Sequence, residues 1–263
     1  MSDTPLIIGH RGASDTAPEN TLAAFRTAMD AGADGVEFDV RLARDGVPVV
    51  IHDATLARTG SRVEKVAAMT SEELAKIDVG SWFNQKHPKR ANIDFAAQKV
   101  STLEQTLTIL SGFKGLIYIE LKADDADYRG LATAVCDVIR PSPLLPQVIV
   151  KSFRLATIPV VRCQLPSVTT AALFAPKIMN FLRRRKHIIA IAHEFGAQQI
   201  SLHRSLATKR LVERAAAANL PVTIWTANNP AWVERACARG IGALITNDPA
   251  KLLAVRAKLA ANT

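Results

Sequence analysis

The sequence predicts an α/β fold, a (β/α)8 barrel with a small inserted subdomain after the third strand. Three observations carry this. Short β-type runs alternate with helical stretches of about 10–15 residues, which is the pattern of βαβ units and a parallel sheet. Several runs, such as "LIIG" and "ALIT", are apolar throughout, as a strand covered on both faces requires. Seven to nine such units in 263 residues suit a closed barrel better than an open sheet.

Strands are expected at Leu6–Gly9, Gly35–Val40, Val47–His52, Leu116–Leu121, Gln147–Ser152, Val168–Phe174, Gln198–Leu202, Pro221–Thr226 and Ala243–Thr246. Nine is one more than the barrel needs, so at least one is misplaced or peripheral. The first helix is expected over Asn20–Ala31, opened by "PENT" with Asn20 as its cap. Between Val40 and Val47 lies only "RLARDG", too short for a crossover helix. Asp45-Gly46 is a turn signal, and a hairpin or a helix-free return across the barrel both fit it. Ala54–Val100 has no βαβ pattern, although "TSEE" at Thr70–Glu73 has capping-box spacing for a short helix through Ile77. Irregular stretches of that length are usually functional. Residues 54–100 are therefore read as an insertion over one end of the barrel, within one domain spanning 1–263. Later helices are expected at Leu103–Leu110, Tyr128–Ile139, Leu155–Cys163, Lys177–Phe195, Ser205–Ala218, Pro230–Arg239 and Ala250–Ala260.

Composition narrows the function classes. Apolar residues make up 48%, enough for a sizeable core. The 22% charged fraction argues against global disorder. No apolar run is long enough for a membrane span, and "MSDTPLIIGHRG" lacks the features of an export signal, so a cytoplasmic location is expected. Cys136, Cys163 and Cys237 are odd in number and widely spaced, and are expected to be buried free thiols in a reducing compartment. The net charge of +9 attracts anions, and part of the excess sits in "LRRRKH", Leu182–His187. That run is either a solvated helix face or a docking patch for an anionic membrane surface. Nucleic acid is not expected, because aromatics are only 5% and no stacking platform interleaves with the basic residues.

In a parallel α/β barrel, functional side chains sit at the C-terminal strand ends. That rule collects His10 and Arg11 after the first strand, Glu37 and Asp39 in "GVEFDV", and His52 and Asp53 after "VPVVI". It also collects Glu120 and Lys122 in "LIYIELK", Ser152, and Trp225, Thr226 and Asn228 in "VTIWTAN". Glu37 and Asp39 share one strand face with Phe38 opposite. Two such carboxylates repel and are costly to desolvate. One divalent cation, Mg2+ or Ca2+, held by Glu37, Asp39 and Glu120 would resolve this; pairing with Arg11, Arg41 or Lys122 is the alternative. His10 and His52 titrate near neutrality, so one can take a proton while the other gives one. Zinc ligation by them lacks an HExxH motif. Arg11 presents a fork to phosphate oxygens and Lys122 a point charge. The set is equipment for metal-assisted attack on a phosphorus centre.

"HRGASDTAPENTLAAF", "GADGVEFDVRLARDGVPVVIHD", "LAKIDVGSWF", "STLEQTL", "IELK", "VTIWTANNP" and "IGALITNDP" resemble the glycerophosphodiester phosphodiesterase family. The resemblance runs from Ile8 to about Leu253 and is weak over Pro159–Arg204. It implies a TIM barrel with a small subdomain after the third strand. It assigns His10 and His52 as the acid/base pair, Glu37, Asp39 and Glu120 as ligands of one divalent cation, and Arg11 and Lys122 to the phosphate. Trp225, at its strand end, is also expected to bind substrate. The implied reaction converts a small glycerophosphodiester and water into glycerol 3-phosphate and an alcohol. In the family's route the glycerol 2-hydroxyl attacks first and water opens the cyclic phosphate. The alternative is a lysophospholipase D using the same site on a lysolipid, with Phe83, Phe174 and Phe181 at an apolar entrance. Two departures stand out. "TNDP" puts Asn247 where the family has an acid, and Leu173–His187 has no counterpart and follows the sixth strand, where it would meet the substrate rim.

Overall fold

The computed structural model describes residues 4–123, 127–176 and 187–261. Their nine strands are β1 (Leu6–His10), β2 (Gly35–Leu42), β3 (Pro48–Val50), β4 (Leu116–Leu121), β5 (Val148–Ser152), β6 (Thr169–Phe174), β7 (Gln199–His203), β8 (Val222–Trp225) and β9 (Ala243–Thr246). The sheet runs β1-β9-β8-β7-β6-β5-β4-β2, and β1 also pairs with β2, which closes an eight-stranded parallel ring. The fold is therefore the (β/α)8 barrel that the sequence predicts.

β3 is the ninth strand. It lies antiparallel on β2, with Val40 opposite Val50 and Leu42 opposite Pro48. β1 pairs only with Gly35–Glu37 of β2, so the upper half of that edge is left to β3. Gly46 has φ 78°, and Ala43 N donates to Val47 O at 3.0 Å. The Asp45-Gly46 signal thus makes a hairpin, with glycine where the turn needs a left-handed residue.

The barrel alternates with period two. Ile8, Tyr118, Ile149, Ala171, Ala243 and Ile245 pack together as an apolar floor inside the ring. Two residues further along their strands, the same parity brings His10, Glu120 and Lys151 to the upper interior. The opposite parity faces the helices. Phe38 lies between Glu37 and Asp39 in sequence but packs outward against Phe25, with ring centroids 5.3 Å apart. Burying such a ring stabilises the fold by about 1.5–3 kcal/mol. A second outer core lies under the helices Ile188–Glu194, Lys209–Ala217 and Trp232–Arg239.

Residues between β3 and the helix Leu103–Ile109 form short helices, among them Ser71–Leu74 and Ser81–Lys86, joined by turns. Leu56, Val66, Leu74, Ile77, Val79 and Val100 pack on Val49 and Ile51 of the hairpin. Thr70 does form a capping box with Glu73, but the helix covers only Ser71–Leu74 rather than reaching Ile77.

Other expectations need correction. The first helix is Leu22–Asp30 and its cap is Thr21, whose side chain accepts from Ala24 N; Asn20 has φ 56° and turns elsewhere. The helix after β7 begins at Lys209, with Thr208 as its cap. Only Cys136 is buried, whereas Cys163 and Cys237 are exposed. Their helices bury Ile158 and Val161, and Val233 and Ala236, and neither thiol lies on that stripe. Phe83 and Phe174 are packed inside cores, so neither forms an entrance. Phe181 and the basic run Leu182–Lys186 lie outside the described residues. Among the described residues, no helix is long and apolar enough to cross a membrane.

Candidate active site

The floor of Tyr118 and its neighbours raises a polar cluster toward the C-terminal strand ends. Parallel pairing sets it out: His10 lies beside Glu37, Asp39 beside Glu120, and Glu120 beside Lys151. Ligand atoms of Glu37, Asp39 and Glu120 fall within 4.8 Å of one another, and all three residues are buried. Spacing along β2 supplies two members of this triad, and the adjacent strand β4 supplies the third.

Three cations face it. Lys151 Nζ lies 2.9 Å from Glu37 Oε1 and 3.8 Å from Glu120 Oε2. Lys122 Nζ lies 3.1 Å from Asp39 Oδ1 and also pairs with Glu120. Arg11 Nε lies 3.0 Å from Asp39 Oδ2. Both readings of the acids, cation site and ion pairs, therefore meet in one cluster. Burial would raise the Glu37 carboxyl, but Lys151 and His10 outweigh it and hold it below its ordinary value. Asp39 likewise resists burial through Lys122 and Arg11, and is held far below the usual range. Glu120 goes the other way: burial, aided by Asp39 and Glu37, raises it despite both lysines.

The donor set fits a hard divalent cation. Glu37 Oε1 and Asp39 Oδ1 are buried and make no aligned hydrogen bond, although a lysine ammonium is within ion-pair distance of each. Lone pairs so placed suit an oxygen-coordinated ion such as Mg2+ or Ca2+.

The histidines are held differently. His10 Nδ1 pairs with Asn247 Oδ1 at 2.7 Å; an amide oxygen only accepts, so the proton is on Nδ1, and Nε2 points toward Glu37 at 3.9 Å. His52 Nδ1 pairs with Asp53 Oδ1 at 2.6 Å. Burial lowers both imidazoles below their ordinary value, against the raising effect of Glu37 on His10 and of Asp39 on His52. A chain of charges continues from Asp53. Arg58 Nε donates to Asp53 at 2.6 Å, its two Nη groups grip Glu19 at 2.7 Å each, and Glu19 accepts from Arg11 at 2.7 Å. Residue 58 thus ties the segment after β3 to the base of the site.

Trp225 ends β8. Its ring meets Phe153 at 5.4 Å and His203 at 5.2 Å, and Lys122 Nζ sits 5.8 Å from the Phe153 centroid. Ser152 turns away and donates to Leu121 O.

A model of the glycerophosphoryl diester phosphodiesterase family matches residues 10–251. The chain belongs to that family. It is 31% identical over 249 residues to the glycerophosphodiester phosphodiesterase of Caldanaerobacter subterraneus subsp. tengcongensis, over 94% of this chain and 96% of the relative. The solved structure of an Oleispira antarctica phosphodiesterase, in complex with the product sn-glycerol-3-phosphate, superposes with TM-score 0.83 at 25% identity over 97% of both chains. A solved chain of Silicibacter pomeroyi shares the fold with TM-score 0.88 at 27% identity, over 98% of this chain and 95% of that one. As a member of the phosphodiesterase family, the chain is a phosphoric diester hydrolase.

Several residues of this candidate site are not legible in the sequence. Lys151 was hidden one place before the serine that ends its strand. Asn20, expected as a helix cap, instead donates from Nδ2 to Asp39 Oδ2 at 2.9 Å and accepts from Asp39 N at 3.2 Å. Its left-handed backbone, which asparagine tolerates, was the available signal. Asn247 holds His10, while Asp248 accepts from Lys251 N at the start of the last helix. Glu19 and Arg58 carried no spacing signal, because they meet only through the fold.

Proposed function

We propose that the chain hydrolyses small glycerophosphodiesters to glycerol 3-phosphate and an alcohol, with Glu37, Asp39 and Glu120 holding one divalent cation, Mg2+ or Ca2+. The supporting observation is the buried carboxylate triad within 4.8 Å beside His10 at the barrel mouth. A divalent cation there supplies charge neutralisation at phosphoryl oxygens and eases ionisation of an attacking hydroxyl.

In this reading Arg11 and Lys122 bind the phosphate, since both stand at the triad and carry charge-assisted donors. Trp225 bounds the substrate side of the mouth. One histidine takes the proton of the attacking glycerol 2-hydroxyl while the other protonates the leaving alcohol; water then opens the resulting cyclic phosphate to glycerol 3-phosphate, with the two proton transfers reversed. A carboxylate partner supports an imidazolium better than an amide does. We therefore assign the general acid to His52, backed by Asp53, and the base to His10, backed by Asn247. Residues 1–263 act as one domain, with 54–100 inserted and reaching the site through Arg58.

The test is a panel of Mg2+, Ca2+, Mn2+ and EDTA against glycerophosphocholine, glycerophosphoglycerol and lysophosphatidylcholine. Glycerol 3-phosphate release from the soluble diesters, abolished by EDTA, is expected. Turnover of lysophosphatidylcholine alone would replace this reading with lysophospholipase D, and full activity in EDTA would remove the cation.

A further inference from the structure

A cavity of about 640 Å3 lies between Ile188, which opens the helix after β6, and the segment after β7, and one of about 520 Å3 lies between the C-terminal ends of β7 and β8. Ser205 lines both, and we read the two adjoining cavities as one furrow. Arg210 and Arg214 line the first part, and Arg204 and Arg235 the second; no acidic side chain lines either among the described residues. Arg210 and Arg214 are four apart on the helix Lys209–Ala217, where like charges repel. Placing both on one wall favours an anionic occupant. The second pair is preset. Arg204 Nη1 donates to Thr226 O at 3.2 Å, which leaves its other donors available, and the Arg235 guanidinium lies 5.4 Å from the Trp232 ring centroid.

The furrow adjoins the hydrolytic site. Its wall includes Asn228, whose Oδ1 accepts from Asn247 N at 2.9 Å, and Asn247 Oδ1 pairs with His10. Two hydrogen bonds therefore separate its lining from the imidazole at the mouth. Except for Arg214, in the last turn of its helix, every lining residue follows a strand end or lies in the first turn of the next helix, so most of the furrow shares the face that carries Glu37 and Asp39. Charge along the chain is lopsided in the same direction. Residues 153–263 hold 16 Lys and Arg against 4 Asp and Glu, while residues 1–152 hold 17 against 20. Arginine forks match phosphate oxygens in geometry as well as charge.

We propose that this furrow binds a second phosphate group, carried on the alcohol side of the diester. The inference rests on the chain's reading as a glycerophosphodiester hydrolase and narrows its substrates to those with an anionic alcohol part. The head group of a separate anionic lipid offers the same phosphate chemistry, and the test distinguishes it from a soluble doubly charged diester.

The test compares kcat/KM for glycerophosphoglycerol, whose alcohol is neutral, with bis(glycerophospho)glycerol, whose alcohol carries a second phosphodiester. Wild type is set against Arg204→Gln/Arg235→Gln and Arg210→Gln/Arg214→Gln, with folding checked by circular dichroism. After allowance for two equivalent ends, wild type should favour the second diester on the order of tenfold at low salt, as charge-assisted contacts give. The ratio should fall toward one in the variants and at high salt. In parallel, sedimentation with phosphatidylcholine vesicles is measured with and without phosphatidylglycerol. An arginine-dependent ratio assigns the furrow to soluble diesters; a ratio near one with arginine-dependent sedimentation assigns it to lipid head groups. Neither signal in wild type, or signals that survive all four substitutions, overturns the furrow. No turnover of either diester in any divalent cation overturns the hydrolase reading instead.

Discussion

Lys151 is 2% exposed and places its ammonium 2.9 Å from Glu37 Oε1. A charge so buried persists because a carboxylate answers it, and removing one member leaves the other uncompensated. Lys151→Met should therefore cost about 3–5 kcal/mol in EDTA, read by urea unfolding. A divalent cation on the triad restores positive charge beside Glu37, so Mg2+ or Ca2+ should recover part of that loss in the variant. An equal loss with and without the cation would show that the triad holds none. At the histidines the readout is rate. His10→Ala and His52→Ala should each lower turnover by about 10²–10⁴-fold, the range for a lost proton-transfer group, with thermal unfolding little changed. Normal turnover in either would remove it from the mechanism. Both histidines were legible in the sequence because each ends an apolar run abruptly. Lys151 was not, because a lysine late in "QVIVKS" reads as a strand end until β4 places Glu120 against it.

The helix Tyr128–Ile139 shows what periodicity delivers at the scale of an element. It buries Leu131, Ala132, Val135, Cys136 and Ile139, one continuous stripe, and its bounds match the sequence expectation. Burial pushes the Cys136 thiol up to about 11, from an ordinary value near 9.0. Between those two pH values the unfolded thiol ionises while the folded one stays protonated. The unfolded state then binds fewer protons, so stability falls as pH rises through this window. In Cys136→Ala, which is less stable overall, that share of the alkaline loss should vanish, giving a shallower fall in urea midpoint from pH 9 to 11. Parallel curves for the two proteins would show that the thiol does not contribute. Where elements fail to be legible, the cause is a competing partner. Asn20 has a capping side chain that Asp39 claims, so Thr21 caps the helix. "RLARDG" fits two paths, and only the partition of the β2 edge between β1 and β3 decides for the hairpin.

Across the whole molecule, the two ends of the barrel carry different tasks. The mouth gathers the buried charges of the candidate site. The opposite end holds the seam at which β1 meets β2 and β9. Asp34, just before β2, accepts from Ile7 N at 2.7 Å, and its own N–H donates to Ile7 O at 2.9 Å. Its carboxylate also pairs with Arg256 of the last helix, Pro249–Ala261, whose guanidinium reaches Pro5 O at 3.1 Å. One side chain thus joins the first strand, the second strand and the C-terminal helix, segments up to 222 residues apart. Asp34→Ala removes acceptors for a backbone N–H and a guanidinium at a partly exposed position, which should cost about 1–3 kcal/mol. Conservation of turnover is the sharper half of the prediction. Because the seam lies at the N-terminal strand ends, kcat for glycerophosphoglycerol should stay within a few-fold of wild type at temperatures where the variant is folded. An unchanged urea midpoint would show that backbone pairing alone holds the seam. A large fall in kcat without unfolding would mean that strain at Ile7 reaches His10, three residues along at the other end of β1.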